Sequence, residues 1–543
     1  MRRAIRYRLG ASIGLVVASL LACEGDGSDG AAPRIDFAPT PDCIRFAGGF
    51  PSGFTTLPGG AGEAAVVQFI PTVVLGLSLD SEPPRLLSDS AIPEFPELVC
   101  SRCGGLLRVD SDSDGIADAC RSDELGFSCL SPVAGSLFAL EPTRVALSTS
   151  SYEQLLFIDP RDGMLQPVEL ETPAPGASFD PADWPFWPPS GIPTIRSGLS
   201  TRACVYADGL LDSLGDPIGP NRFCSPDRNG FVTRFTAGAA RIGDHLLVAT
   251  SNLIRSSRAQ FAPGTLLLFE YDTGSDPPRV RPRADGPILL TSGYNPTTVT
   301  PYTTPSGRAL ALIGVSGSIA LGTGPDLVRT DSAIDVVDVA MGRLIATIPL
   351  GRAGLGFSPI AIDSNRRVGL IGAATRRALF GIDLAALDDP LLGLGPEALP
   401  IRLDGSVSGY PDARLYSGDS PLPLPKRSTG PPDSQCTTQT SVALSQIGPS
   451  GVASDFCDGT LSILHLDLPA DRTASLDPGT AVTIERLQAV TAPLVDDATG
   501  LVRAIDRVVI RPGRPGVDFD GPDVHFTAGL PEGAVCGVRI RNP

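Results

Sequence analysis

Lysine and histidine are scarce in this sequence, which limits the chemistry that contiguous motifs can carry. Lys426 is the single lysine, and no glycine-rich loop precedes it, so the sequence contains no phosphate-binding loop of the GxxxxGK type. The three histidines, His245, His465 and His525, are isolated and form no HExxH or comparable metal-binding pattern. The sequence Gly10 to Gly14 fits GxSxG, but it falls inside a predicted export signal and therefore cannot form a nucleophile elbow.

Long apolar runs are also missing after the N-terminus. Leu9 to Leu21 follows four arginines and is shorter than the ~20 residues that a membrane-spanning helix needs. This pattern predicts a signal peptide over residues 1–22. No second run of this kind follows, so we expect the mature chain to be held by an anchor and not threaded through the membrane.

The end of the signal, Leu20-Leu21-Ala22-Cys23, resembles a bacterial lipobox. That resemblance implies acylation of Cys23 as the new N-terminus and a location in the cell envelope, facing the periplasm or the cell surface. An ordinary secretory signal is the alternative. Residues 23–32 (CEGDGSDGAA) are then expected to form a flexible tether between lipid and folded body.

Acidic residues outnumber basic ones, and the formal net charge is -17. Removing the signal deletes four arginines and no acids, which takes the charge to about -21. Such a body repels phosphate backbones and anionic lipid surfaces, so nucleic acid is not an expected partner. The excess of arginine over lysine is interpreted as codon bias.

Ten cysteines remain when Cys23 is set aside, and an even number in an exported chain predicts disulfides. Cys204 with Cys224 and Cys436 with Cys457 are natural local pairs. Four others, Cys100, Cys103, Cys120 and Cys129, form a cluster that favours disulfides but also has ligand spacing for a four-thiolate zinc site. Cys43 and Cys536 would be the remaining pair.

The clearest structural signal is the stretch Ser332 to Gly351. Two runs rich in valine and isoleucine, Ile334 to Val339 and Leu344 to Leu350, are separated by Met341-Gly342-Arg343, which predicts a β-hairpin. Arg308 to Gly314 supplies a strand before it, so an antiparallel meander is expected. The stretch resembles the YVTN-type β-propeller repeat, which implies a propeller fold.

Similar runs that end near an acid recur along the chain, with preceding strand-like runs. The acids are Asp159, Asp272, Asp338, Asp383 and Asp467. Their repetition favours turn hydrogen bonds over catalysis. Propeller blades run ~40 to 50 residues, so residues 131–543 predict an all-β propeller of six to eight blades, with seven as the central value. The spacing leaves room for an additional blade around Ile195 to Phe235. An array of β-sandwiches is the competing interpretation.

Residues 33–130 are interpreted as a separate Cys-rich segment. It begins with Pro-rich coil, and its apolar runs within Ala64 to Leu79 are expected to complete the last blade. The segment also contains Asp110, Asp112, Asp114 and Asp118 around Gly115, at positions 1, 3, 5, 9 and 6 of a loop. This spacing gathers oxygens for calcium, with the Ile116 carbonyl at position 7.

The calcium motif, with Cys120 after it, resembles a thrombospondin type 3 repeat. The resemblance implies one structural calcium ion, although Arg121 stands where that repeat has an acid. A solvated acidic turn is the alternative.

Both tryptophans lie in one Pro-rich stretch, Asp183 to Gly191. Trp184, Phe186 and Trp187 are candidates for an exposed docking loop. Burial over the propeller opening or against a neighbouring blade is the alternative. A second long insertion, Leu403 to Gln439, is expected to be exposed.

The expected function is a lipid-anchored, non-catalytic binding or scaffolding protein whose partner is an envelope protein or glycan. The alternative is a propeller hydrolase or lactonase with a metal held by scattered acids in the central channel, since such ligands leave no contiguous motif.

Overall fold

The computed structural model describes, with gaps, residues 42–87, 134–171, 184–319, 328–394 and 401–539, and in these ranges the chain is almost entirely β-structure. In this part of the chain, no helix is long and apolar enough to cross a membrane. A short 3-10 helix, Leu384–Asp388, has Asp383 as its N-cap.

The strands, in chain order, are β1 (Asp42–Arg45), β2 (Gly49–Thr56), β3 (Glu63–Ile70), β4 (Thr72–Ser78), β5 (Arg85–Leu86), β6 (Ala134–Glu141), β7 (Arg144–Thr149), β8 (Gln154–Ile158), β9 (Val168–Leu170), β10 (Thr194–Arg196), β11 (Gly198–Ser200), β12 (Cys204–Tyr206), β13 (Pro220–Asn221), β14 (Ser225–Val232), β15 (Thr236–Ile242), β16 (His245–Thr250), β17 (Leu253–Arg255), β18 (Gln260–Phe261) and β19 (Pro263–Asp272). They continue with β20 (Arg279–Pro282), β21 (Ile288–Tyr294), β22 (Pro296–Thr303), β23 (Ala309–Val315), β24 (Ser332–Asp338), β25 (Arg343–Gly351), β26 (Ala361–Asp363), β27 (Val368–Gly372), β28 (Ala378–Asp383), β29 (Ile401–Arg402), β30 (Leu422–Pro423), β31 (Thr440–Leu444), β32 (Ser450–Asp455), β33 (Thr460–Leu466), β34 (Ile484–Thr491), β35 (Ala504–Ile510), β36 (Asp523–Gly529) and β37 (Ala534–Arg539).

The described strands form seven sheets of four or more strands, each built around an antiparallel meander. In chain order, sheet 1 is β2 to β5, sheet 2 is β6, β7, β8 and β11, and sheet 3 is centred on β15, β16, β19 and β20. Sheet 4 is centred on β22 to β25, sheet 5 is β26, β27, β28 and β30, sheet 6 is β31 to β34, and sheet 7 is β35, β36, β37 and β1. The number of blades in the whole chain stays a prediction.

Sheet 4 confirms the meander that the sequence predicts. β24 and β25 pair antiparallel, with Asp338 opposite Arg343, and β23 pairs with the other edge of β24. The turn between β24 and β25 contains Gly342 at a φ of 62°, a conformation that costs glycine little. The backbone N–H of Met341 donates to Asp338 Oδ1 at 2.8 Å, which closes the same turn.

Each pair of neighbouring sheets shares a hydrophobic core. Separate buried clusters join sheets 1 and 2, 2 and 3, 3 and 4, 4 and 5, 5 and 6, and 6 and 7. The ring closes because Val535 of sheet 7 is buried in the cluster of sheets 1 and 2. Each sheet packs one face on the sheet before it and the other face on the sheet after it. This is the arrangement of a β-propeller.

The first strand of each sheet is the innermost, and inner strands approach each other closely. A Cβ on Gly53 of β2 would lie 3.0 Å from the Cβ of Leu137 in β6. A Cβ on Gly238 of β15 would lie 2.9 Å from the Cα of Thr298 in β22. Glycine is needed at both positions because any larger residue would push two inner strands apart.

Two predictions about the N-terminal part are wrong. The propeller begins at β1 and not at residue 131, because residues 33–130 include both β1 and sheet 1. Ala64 to Leu79 does not complete the last blade but forms β3 and β4 of sheet 1. The strand that completes sheet 7 is β1, which pairs with β37 some 490 residues later and is fixed to it by the disulfide between Cys43 and Cys536. This is the pair that the sequence leaves once the two local pairs and the four-cysteine cluster are set aside.

The blade expected around Ile195 to Phe235 is also absent from the described residues. β10 extends the outer edge of sheet 3, β11 completes sheet 2, and β12 to β14 form a separate small sheet. The extra length is an elaboration of the connection between two blades.

Candidate functional site

The two ends of the ring differ. The short turns between first and second strands, such as residues 243–244 and 304–308, lie at one end, which we call the turn end. The connections from second to third strands and from one sheet to the next lie at the opposite end, the insertion end. The largest described feature at the insertion end is residues 203–234, which we call the pinned module.

The pinned module connects β11, the outer strand of sheet 2, to β15, the inner strand of sheet 3. β14 pairs with β12 and β13, and the Cys204–Cys224 disulfide ties the module's start to its middle. This disulfide is one of the local pairs that the sequence predicts. Val205 and Phe231 pack on Ala262, which belongs to the long loop before β19.

Asp212 docks the module on sheet 3. Its carboxylate accepts hydrogen bonds from the backbone N–H of Leu214 at 2.8 Å and of Asp216 at 3.1 Å, and from the side-chain amide of Gln260. The hydroxyl of Tyr294, on β21, donates to the carbonyl of Asp212 at 3.1 Å. These contacts fix the module from two elements, β18 of the small β17–β18 hairpin and β21 of sheet 3.

The link from the module into β15 is also fixed. Asn252, at a φ of 56°, accepts a hydrogen bond from the N–H of Arg234 at 2.9 Å through its side-chain oxygen. Its amide nitrogen donates to the carbonyl of Pro263 at 2.7 Å. An asparagine tolerates this left-handed backbone, so one side chain joins three segments at the insertion end.

The exposed surface of the module mixes apolar and charged groups. Leu211 is 46% exposed. The guanidinium of exposed Arg228 lies 3.8 Å from the ring centroid of Tyr206, a cation–π contact. Three acids of the module, Asp208, Asp216 and Asp227, are also exposed.

The two tryptophans do not form a docking loop, so this prediction is wrong and the burial alternative is correct. Trp184 is 1% exposed and Trp187 is 8% exposed, in the core between sheets 2 and 3. Both rings pack on Phe269 of β19, at centroid distances of 5.5 and 5.7 Å. The indole N–H of Trp187 donates to the carbonyl of Glu171 at 3.0 Å, so neither ring is offered to a partner.

The tryptophan stretch belongs to a connection that leaves sheet 2 and attaches to sheet 3. β9 pairs parallel with β20, and β10 pairs with β9, before β11 returns to sheet 2. Arg279 of β20 lies 3.2 Å from Glu169 and 3.4 Å from Glu171. The connection therefore ties two blades together along their outer edge.

The repeated acids cap turns, as their repetition predicts. One carboxylate oxygen of each accepts a backbone N–H two or three residues later, at 2.8 to 3.1 Å, in Asp159, Asp272, Asp338 and Asp383. Asp467 lies outside the described residues.

Arginines at the turn end cross from one sheet to the next. Arg241 of sheet 3 reaches Glu141 of sheet 2 at 3.2 Å. Arg283 of sheet 3 donates to the carbonyls of Val339 and Ala340 in sheet 4, at 2.6 and 2.7 Å. These contacts use the planar fork of guanidinium, which a lysine ammonium cannot reproduce.

Two more arginines contact a neighbouring sheet in the same way. Arg308 of sheet 4 donates to the carbonyl of Leu392, which follows sheet 5's third strand, at 2.9 Å. Arg472, which follows β33 of sheet 6, donates to Asp383 and to the carbonyls of Arg366 and Arg367 in sheet 5. At these four positions, the arginine side chains make specific contacts between neighbouring blades.

A partly buried group of one tyrosine, one aspartate and one arginine accompanies the crossing between sheets 4 and 5. The hydroxyl of Tyr302 donates to Asp388 Oδ1 at 2.7 Å, and Arg367 Nη1 lies 2.8 Å from Oδ2. Burial raises the pKa of Asp388, and burial together with the adjacent carboxylate raises the pKa of Tyr302. Arg367 has a φ of 53°, a strain compensated by its ion pair and by its hydrogen bond to Thr473.

Among the described residues, no group of three or more His, Cys, Asp or Glu is arranged to hold a metal ion. His245 lies at the start of β16, half-buried, and burial lowers its pKa. The remaining predicted site residues lie outside the described residues: Cys23, Cys100, Cys103, Asp110, Asp112, Asp114, Ile116, Asp118, Cys120, Cys129, Phe186, Cys436 and Cys457.

No family model matches the chain, and no curated protein matches it significantly. Among solved structures, hydrazine synthase of Kuenenia stuttgartiensis is 9% identical, with a TM-score of 0.43 over 89% of this chain and 94% of that one. The β-propeller domain of Cps50 (Swd1) from Myceliophteria thermophila is 11% identical, with a TM-score of 0.42 over 92% and 98%. The Dos1 propeller is 10% identical, with a TM-score of 0.39 over 93% and 95%. Similarity at this level carries no argument about function.

Proposed function

We propose that this protein is a lipid-anchored β-propeller of the bacterial cell envelope that binds a protein or glycan without catalysing a reaction. The observation that carries the proposal is the pinned module, a surface held in one conformation by a disulfide and by hydrogen bonds from Gln260 of β18 and Tyr294 of sheet 3. A surface that is ordered before binding loses little conformational entropy when a partner docks.

The chemistry of the module suits recognition. Leu211 supplies exposed apolar area on the same module as the stacked pair of Arg228 and Tyr206, and arginine and tyrosine are enriched among residues that dominate binding energy. The exposed acids of the module, Asp208, Asp216 and Asp227, favour a partner that presents basic or hydrogen-bond-donating groups.

Two further parts of the proposal rest on the sequence. Acylation of Cys23 would hold the ring at the membrane, and the motif in the leader supports it. A calcium ion bound by Asp110, Asp112, Asp114, Asp118 and the Ile116 carbonyl would order the segment between β5 and β6. With a full oxygen shell, this ion would be structural.

A matched pair of exposed apolar residues tests the proposal. Leu211→Ser alters the pinned module, and Met164→Ser alters a residue that is 57% exposed at the turn end. Proteins cross-linked to the full-length chain in its native envelope are quantified for both variants. We expect Leu211→Ser to lower recovery of the specific partner about tenfold, which corresponds to roughly 1.4 kcal/mol, while Met164→Ser leaves recovery unchanged.

Equal recovery from both variants would remove the module from the proposal. Metal-dependent turnover of an ester or lactone panel by the purified protein would replace the binding function with the hydrolase alternative.

A further inference from the structure

Within the pinned module, residues 210–218 fold back on themselves as a short hairpin. Leu211 forms a β-bridge with Pro217, and the backbone N–H of Asp212 donates to the carbonyl of Asp216 at 2.9 Å. Leu211, Asp216 and Pro217 are exposed, whereas Asp212 is buried. The hairpin therefore presents an apolar side chain and an acid to solvent at neighbouring positions.

The hairpin packs on a small apolar cluster. Four partly buried aliphatic side chains surround a buried core of three residues: Leu210 and Ile218 of the hairpin, Ile254 of β17 and Ile288 of β21 around Val205, Phe231 and Ala262. Leu211, which is 46% exposed, adds to the apolar surface that these side chains leave open to solvent. Covering such a surface with an apolar group of a partner is favourable.

The charged side chains of this part of the chain are all acidic. Residues 207–221 (ADGLLDSLGDPIGPN) contain three aspartates and no lysine, arginine or histidine. Asp208 is exposed shortly before Leu210 in the chain, and Asp216 is exposed next to the partner of Leu211 across the hairpin. The apolar surface is thus accompanied by two exposed carboxylates.

The third aspartate adds a buried negative charge. Asp212 is 4% exposed, and the hydrogen bonds to its carboxylate come from uncharged donors, two backbone N–H groups and the Gln260 amide. Gln260 is 8% exposed, and its Oε1, bonded to the same carbon as the donating nitrogen, accepts no hydrogen bond from the described residues. Burial, together with the Asp212 carboxylate, raises the pKa of Tyr294. The negative charge and the unsatisfied acceptor both favour a cationic hydrogen-bond donor here.

We infer that this surface, which we call the hairpin face (Asp208, Leu210, Leu211, Asp216 and Ile218), binds a basic peptide segment of a partner protein, in which lysine or arginine adjoins an apolar side chain. The inference rests on the proposed function and names the chemistry of the partner. The apolar side chain covers Leu211, and the cationic groups pair with Asp208 and Asp216. An uncharged glycan offers neither a cation for these acids nor an aliphatic side chain for Leu211.

Three fluorescent peptides test the chemistry of the hairpin face, with purified protein titrated into each and the Kd read from anisotropy. The first peptide has two leucines flanked by lysines, the second replaces the lysines by glutamates, and the third replaces the leucines by serines. We expect the first to bind about tenfold more tightly than either of the others, because the second is repelled and the third buries less apolar surface. Its Kd should rise with salt, which screens exposed charges.

Matched double variants separate the hairpin face from the net charge of the chain. Asp208→Asn/Asp216→Asn neutralises two exposed acids of the hairpin face, and Asp162→Asn/Asp244→Asn neutralises two exposed acids at the turn end. We expect the first pair to weaken binding of the lysine–leucine peptide about fivefold and the second pair to leave it unchanged. Equal weakening by both pairs, or none by the first, overturns the inference.

An uncharged tetramer of N-acetylglucosamine is the glycan probe, and tighter binding of this probe than of the lysine–leucine peptide overturns the choice of a polypeptide. Cross-linking in the native envelope separates the inference from the proposed function. Loss of the specific partner in Leu211→Ser but not in Asp208→Asn/Asp216→Asn contradicts the basic segment and leaves the binding function standing. Loss in both variants, with recovery retained in Asp162→Asn/Asp244→Asn, supports both.

Discussion

Arg472 and Asp383 form a buried ion pair that joins two neighbouring blades, with Nη2 2.5 Å from Oδ1. Their side chains are 7% and 1% exposed, and the same guanidinium also donates to two backbone carbonyls of sheet 5. One arginine thus satisfies three acceptors that would otherwise be buried at the interface between sheets 5 and 6.

We expect Asp383→Ala to lower the free energy of unfolding by about 3–5 kcal/mol, because it leaves the arginine charge buried without its partner. Urea denaturation measures this loss. Arg281→Ala is the control, since Arg281 pairs with Glu270 on the surface of sheet 3, and such a pair contributes about 0–1 kcal/mol. A loss below 1 kcal/mol for Asp383→Ala would show that the crossing contributes little.

Trp184→Ala is expected to destabilise the propeller by about 3–5 kcal/mol, the usual cost of deleting a buried aromatic side chain. The loss would come from contacts with Trp187 and Phe269 between sheets 2 and 3. Thermal unfolding is compared with that of Met164→Ala, whose side chain is exposed. A variant as stable as the control would contradict burial of the ring.

The two described disulfides should differ in their contribution to stability. Cys43 and Cys536 are 493 residues apart, whereas Cys204 and Cys224 are 20 apart. The loop-closure model gives about 6 kcal/mol for the first and about 3 kcal/mol for the second. Unfolding of Cys43→Ser/Cys536→Ser and Cys204→Ser/Cys224→Ser proteins tests the order, and the reverse order would show that ring closure does not depend on the terminal bond.

Asp335 should make stability depend on pH. Its carboxylate is fully buried between sheets 3 and 4, where it accepts hydrogen bonds from Ser292 N–H at 2.7 Å and the Thr347 hydroxyl at 2.9 Å. Burial raises its pKa above the ordinary value of 3.8. The folded protein therefore holds this proton more tightly than the unfolded chain, and the associated stability is complete below pH 3.8 and declines as pH rises through the folded-state pKa.

Asp335→Asn preserves an acceptor and a donor but removes the titration. We expect the variant to gain stability relative to wild type as pH rises from 4 to 8, measured by urea unfolding at each pH. Asp285 is the opposite case, because its hydrogen bond with Arg283 lowers its pKa, so Asp285→Asn should lose stability relative to wild type as pH rises through the acidic range. Parallel pH profiles for wild type and Asp335→Asn would contradict the assignment.

Calcium binding is expected to require the alternating acids of the loop at residues 110–118. Titration calorimetry of the folded protein should show one binding event, which Asp112→Ala/Asp114→Ala abolishes because two of the hard oxygen ligands are lost. Asp208→Ala, an exposed acid of the pinned module, serves as the control. Binding retained by the double variant would place the ion elsewhere.

The sequence alone was sufficient for local features of the fold. The hairpin of β24 and β25 depends on alternation within each strand and on Gly342 in the turn, and all of this information lies within twenty residues. The turn-capping role of Asp338 was predictable for the same reason, since acceptor and donor are three residues apart. Pairing of Cys204 with Cys224 likewise joins residues that are close in sequence.

Only the tertiary structure decided how the ring closes and what the inserted stretches do. Nothing local marks β1 as a strand of sheet 7, because its partner β37 is nearly the whole chain away. Trp184 looks like an exposed aromatic in its Pro-rich surroundings, and it is buried only because its connection crosses to Phe269 of another blade. Arg283 and Arg472 likewise acquire their partners from a neighbouring blade, since packing between blades selects contacts that no sequence period records.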